Sequence, residues 1–238
     1  IDSSTTTVCN DLLFTNTIDA DDAVNQDRRL IIDAGSVGKV RFNGNVGDTQ
    51  SLADMDVTAG SIELSASRYM VNNSLTLAGT INSDSTATPR SLTVLAGTGV
   101  VTIDNNIGQT ASLSDLDVTA STLRINSNLI QVNGGSTTQD VTFNANVVTS
   151  TSLTINTDGA VDNNLLITGT VNAIGASRRL NITAGTADVT FEKSIGNTGA
   201  LSDFDVQASR LILKGSELNV FEGVGGTTST LHADIVLG

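Results

Sequence analysis

Four short blocks recur in register three times along the 238 residues, and no other feature restricts the fold so far. The first copy reads Arg28-Arg29-Leu30-Ile31-Ile32-Asp33-Ala34-Gly35, Val40-Arg41-Phe42, Val46-Gly47-Asp48-Thr49 and Leu52-Ala53-Asp54-Met55-Asp56-Val57. The second reads Arg90-Ser91-Leu92-Thr93-Val94-Leu95-Ala96-Gly97, Val101-Thr102-Ile103, Ile107-Gly108-Gln109-Thr110 and Leu113-Ser114-Asp115-Leu116-Asp117-Val118. The third reads Arg178-Arg179-Leu180-Asn181-Ile182-Thr183-Ala184-Gly185, Val189-Thr190-Phe191, Ile195-Gly196-Asn197-Thr198 and Leu201-Ser202-Asp203-Phe204-Asp205-Val206. A further pattern precedes each copy, at Asn10 to Ile18, Asn72 to Ile81 and Asn163 to Val171, and the stretch Gly225 to Val236 echoes Gly134 to Val148. The chain therefore reads as a single solenoid over 1–238, with internal repeats of approximately 10–71, 72–162 and 163–238.

Spacing says how the repeats are built. Leu30 and Leu92 are 62 residues apart, Leu92 and Leu180 are 88 apart, and the surplus of 26 falls in one block, roughly Gly134 to Asp162. A stack of near-equivalent coils closes up after such a loss, whereas a sandwich or closed barrel loses strands that its topology needs. Apolar pairs at i,i+2 recur throughout, among them Leu92/Val94, Val101/Ile103, Leu116/Val118, Val141/Phe143 and Leu165/Ile167. Each pair turns inward around one outward residue, as a short half-buried strand requires. With about three strands per coil and roughly 24 to 29 residues per coil, the expected fold is all-β: a parallel β-helix of about nine coils, on the order of 43 Å long. The arginine-led segments of the three copies are expected on one common face.

The run Ser91 to Ile103, with Ile107-Gly108-Gln109-Thr110 and Leu113 after it, resembles the repeats of filamentous-haemagglutinin-like bacterial surface proteins. The resemblance implies a right-handed parallel β-helix, secretion across a bacterial envelope, and service as a surface fibre or adhesin shaft. The asparagine-proline-asparagine-glycine secretion motif of that family's amino-terminal domain is absent.

Composition agrees with a stack of aliphatics. There is no Trp, and one Tyr and six Phe leave the core to Val, Leu and Ile, while 22 Gly serve turns. A formal charge of −13, from 12 Lys+Arg and 25 Asp+Glu, disfavours nucleic acid and anionic membranes. No run of about 20 apolar residues suggests membrane insertion, and without an initiator Met or signal peptide the chain is expected to be a processed form or a piece of something longer. Cys9 is the sole cysteine, which excludes an internal disulfide and a cysteine-based metal site; it reads as a small residue in packing, with an intermolecular disulfide as the other reading.

The most suggestive polar feature is the i,i+2 carboxylate pair of each copy: Asp54/Asp56, Asp115/Asp117 and Asp203/Asp205. Two carboxylates on one strand face could bind Ca²⁺ or serve as acid and base. Solvated residues that discourage lateral strand pairing are the preferred reading. His232 has no second His or Cys to join it, the strand-opening arginines read as cations offsetting local Asp, and Thr93, Thr102, Thr142, Thr154 and Thr190 read as outward residues chosen for β-propensity.

These residues assign no catalytic group, metal or cofactor. The expected role is an extracellular or cell-surface structural protein, joined to copies of itself or to neighbouring repeats by end-to-end β-stacking, with Leu12 and Phe14 at one end and Ile235 and Leu237 at the other. An adhesin gripping a receptor or glycan is the alternative, though Tyr69 is the one Tyr or Trp available for a sugar. A polysaccharide-active enzyme comes third, because cations and aromatics are too sparse.

Overall fold

The computed structural model describes residues 10–21, 28–65, 68–135, 137, 139–175, 178–221 and 231–237, with the side chains of 231–234 and 236 outside that description. Among the described residues there are seventeen strands and no helix, and every strand pairing is parallel. Parallel neighbours need a crossover between them, and here each crossover is simply the rest of one coil.

Three inward columns follow from the register. On the first face Leu30, Met55, Leu75, Val101, Leu123, Val147, Val171, Ile195 and Leu218 stack in that order. On the second, Leu12, Val40, Ile62, Ile81, Ile107, Ile130, Ile155, Ile182 and Val206 do so. The third carries Ile18, Val46, Tyr69, Val94, Val118, Phe143, Ile167, Phe191, Leu213 and Leu237. From Met55 to Ile195, Val40 to Val206 and Val46 to Phe191, no member of a column is more than 2% exposed. A buried aliphatic side chain is worth about 1.5–3 kcal/mol, so each added coil contributes stability mainly by covering the one below.

Eight coils separate Leu30 from Leu218. Their length varies from 19 residues, Ile62 to Ile81, to 28, Ile18 to Val46, with the slack taken up at corners. Register shifts at Leu52/Asp54, Thr58/Ser61 and Asn144/Asn146 mark corners where a long strand bends from one face to the next.

The expectation of a common face is corrected. Leu30 and Ile32 lie on the first face, Leu92 and Val94 on the third, and Leu180 and Ile182 on the second. The reason is arithmetic: 62 residues make two coils and two further faces, 88 make three coils and two further faces, and each copy therefore starts one face earlier than its predecessor. Such a rotation is permitted because the three faces make the same demand, two aliphatics at i,i+2 followed by a turn. The surplus block of 26 residues is one turn of the stack, giving Val141 and Phe143 to the third face, Val147 to the first, and Leu153 and Ile155 to the second.

The turns rotate with the copies. Gly35, Gly97 and Gly185 hold φ of 70°, 53° and 57°, and Gly47, Gly108 and Gly196 hold 73°, 73° and 75°, the left-handed region that favours glycine. In the second set a Cβ would also sit 2.2 Å from the Met70 carbonyl oxygen, 2.2 Å from that of Gln131 and 2.3 Å from that of Asn219. Beneath each of these turns an amide or carboxylate oxygen from the preceding coil accepts two backbone N–H groups. Asp19 takes Thr49 (2.8 Å) and Gln50 (3.2 Å), Asn82 takes Thr110 (3.0 Å) and Ala111 (3.3 Å), and Asn172 takes Thr198 (2.9 Å) and Gly199 (3.1 Å). Turn amides that no strand could satisfy thus find partners one coil away.

Candidate functional site

The three carboxylate pairs occupy three different faces: Asp54/Asp56 the first, Asp115/Asp117 the third and Asp203/Asp205 the second. They form no column, and their surroundings differ. Arg29 stands in register with Asp54, and its Nε donates to the Asp56 carboxylate at 3.1 Å. Arg179 stands opposite Asp203, with Nε 3.9 Å from Oδ2 and the carboxylate itself 1% exposed. In the second copy the equivalent position is Ser91, opposite Asp115, and the cation is missing there.

What lies on the other side is a further acid. Thr142 pairs with Asp117, which brings Asp140 of the next coil beside Asp115. Burial, reinforced by the charges of Asp117 and Asp140 against a hydrogen bond from the Leu116 amide, pushes the Asp115 carboxyl up to about 6. Its Oδ1 is buried with no hydrogen-bond partner. Asp117 is also raised, by burial first and by Asp140 as well, while hydrogen bonds from Thr142 act against the shift. The arrangement stores repulsion. Among the described residues no group of three or more His, Cys, Asp or Glu is placed to hold a metal ion. The alternating pattern revealed each pair to sequence reading, whereas Asp140 was missed because only the register brings it alongside.

Arg90, one position before the place that Arg29 and Arg179 hold in their copies, serves a different acid. Asp84 is almost enclosed, its side chain 6% exposed, and it accepts from Arg90 Nε at 2.6 Å and Arg41 Nη2 at 2.8 Å. The Arg90 hydrogen bond, with the charges of Arg90 and Arg41, holds the Asp84 carboxyl below its ordinary range despite burial. Ser83 Oγ accepts from the Arg90 and Ser85 amides, at 3.1 and 3.3 Å, and donates to the Ser85 carbonyl at 2.8 Å. Residues 85–89 are thereby pinned at both feet and stand between two open grooves. One, of about 550 Å³, is lined by Lys39, Glu63, Thr80, Asn82 and Thr110 among others; the second, of about 390 Å³, includes Ser114, Gly134 and Gln139. The charges along the first are mutually paired, Lys39 with Glu63 and Arg41 with Asp84.

Of the remaining sequence candidates, Thr93, Thr142 and Thr190 are half-buried on the third face, Thr102 is on the first and Thr154 on the second. Asp117 interrupts the third-face row between Thr93 and Thr142, and Leu166 between Thr142 and Thr190, so no continuous hydroxyl array forms. Tyr69 is fully buried and offers no ring to a sugar. Cys9 lies outside the described residues, and His232 is placed by its backbone alone, in the strand Leu231–Leu237.

At the edges, Leu12 and Phe14 pack partly buried against the core, with the Phe14 ring stacked 5.2 Å above Phe42, while Leu13 is 58% exposed. At the other edge Ile235 and Leu237 are 50% and 77% exposed. The strands Leu12–Phe14 and Leu231–Leu237 each have a single strand partner among the described residues.

Comparison with known proteins finds a relative in "Outer membrane protein A" of Rickettsia rickettsii, 30% identical over 190 residues. The match covers 74% of this chain and 8% of the relative, so the chain spans a small part of that protein's length. No family model matches the chain, and no solved structure does. The distant similarity and the stacked parallel coils together fit a surface β-helix protein.

Proposed function

We propose that this chain is a length of β-solenoid shaft in an extracellular bacterial fibre or filament, structural rather than catalytic, which stacks end to end on neighbouring repeats or on copies of itself. The observation that carries this reading is the continuity of the apolar columns into the outermost coils, where Leu12 and Phe14 on one side are only partly buried and Ile235 and Leu237 on the other are exposed, leaving apolar surface for one more coil. An edge strand also presents unpaired N–H and C=O groups to an incoming neighbour. A further coil would join through the kind of interface that every coil inside the stack already makes. Similarity to an outer membrane protein supports a place at the cell surface.

An adhesin is the second reading, favoured by the pinned segment 85–89 between its grooves. A receptor contact there would add to the shaft role without replacing it. Negative-stain microscopy across a concentration series tests the first reading. Filaments one solenoid wide that lengthen with concentration, and shorten in Leu237→Lys, are expected. Particles of constant length at every concentration would overturn end-to-end stacking.

A further inference from the structure

We infer that the single coil is a removable unit of this molecule: one coil can be excised wherever the deletion begins just after one residue and ends with the residue stacked on it, and the remaining coils close around the same core. The rotation of the repeats carries this. A strand of one sequence type is accepted on the first face at Leu30, on the third at Leu92 and on the second at Leu180, so no face depends on one strand type. The surplus block of the second copy gives one strand set to each face, and the first copy passes from Val71 to Asn72 without it.

A cut through this block is defined by geometry. The Val132 amide donates to the Asn156 carbonyl at 2.8 Å, which places Thr157 over Val132. Deleting 133–157 joins Val132 to Asp158 and lets the coil above descend by one level. Ile167 then rests on Val118, Val171 on Leu123 and Ile182 on Ile130, aliphatic upon aliphatic on every face. Asp140 leaves with the deleted coil, and the Thr157 hydroxyl, buried without a partner, leaves as well. The buried Asn163 loses the bond its Oδ1 accepts from the Gln139 amide at 2.9 Å, and at the surface Thr168, Thr170 and Arg179 lose their partners Asn144, Asn146 and Ser152. A second excision, of 95–118, joins Val94 to Thr119; it keeps the bond from the Gln139 amide to Asn163 and removes instead the Ser114 carbonyl, one of the two acceptors of the Asn163 side-chain amide, while the Val132 carbonyl stays.

The test is far-UV circular dichroism, thermal unfolding and small-angle scattering of the full chain, of the two excised chains, and of a control lacking 133–144, about half a coil, which sets turns over strands. Both excisions are expected to keep the β-sheet spectrum and a single cooperative transition, with a length shorter by about 4.8 Å. The control is expected to lose the transition. Loss of cooperative folding in both excisions, or equal behaviour of excisions and control, would overturn the inference.

Discussion

Tyr69 sits at full depth on the third face, edge-on to Phe42 with ring centroids 5.4 Å apart, and its hydroxyl has no hydrogen-bond partner. Burial pushes the phenol pKa well up, and a desolvated, unpaired hydroxyl costs about 1–3 kcal/mol. Tyr69→Phe is therefore expected to leave stability unchanged or raise it by about 1 kcal/mol, read as an equal or higher midpoint in urea. Asp115 gives a prediction with a pH signature. Its folded pKa of about 6 lies above the ordinary 3.8, so the protonated carboxyl favours the folded state; that contribution is complete below pH 4 and is lost as pH rises through 6. Asp115→Asn is expected to stabilise the protein by about 1 kcal/mol at pH 7, to give no gain below pH 4, and to flatten the stability profile between. The inward pairs that surround these groups were legible in the sequence because period-two alternation is a local signal. The crowding of Asp115 was not, since Asp140 approaches it across a distance in sequence that only the coil length defines.

At the scale of the element, the turn set Gly47, Gly108 and Gly196 combines positive φ with a carbonyl oxygen about 2.2 Å from any added Cβ. Gly108→Ala is expected to cost about 2 kcal/mol or more, measured as a fall in the urea midpoint, because backbone strain and a clash with Gln131 act together. The paired amides above Asn172 allow a contrast: Asn172→Ala is expected to cost about 1–2 kcal/mol, whereas Asn172→Asp is expected to be tolerated, since Asp19 fills the equivalent place. The sequence displayed the glycines and the Asn/Asp positions as repeated letters. It did not display their pairing, because the two halves of each clamp lie on successive coils. Nor did it display the face of each copy. Coils run from 19 to 28 residues, and an error of about eight residues in 62 moves a strand to a different side.

For the molecule as a whole, stability in a stack is a sum of coil terms and interfaces between neighbours, and the outermost coils have an interface on one side among the described residues. Hydrogen exchange is expected to be slowest for amides between Leu92 and Ile167 and at least about tenfold faster in Leu12–Phe14 and Leu231–Leu237. Uniform protection along the chain would contradict stacking as the source of stability. The solenoid itself was legible because the repeats retained register, and its length because one surplus block matched one coil. The stepwise rotation of those repeats has a mechanical consequence. Left-handed glycine corners and carboxylate pairs each fall on a different flank in successive copies, so no flank gathers all the weak points. Pulled sideways, such a rod is not expected to bend along one fixed hinge line.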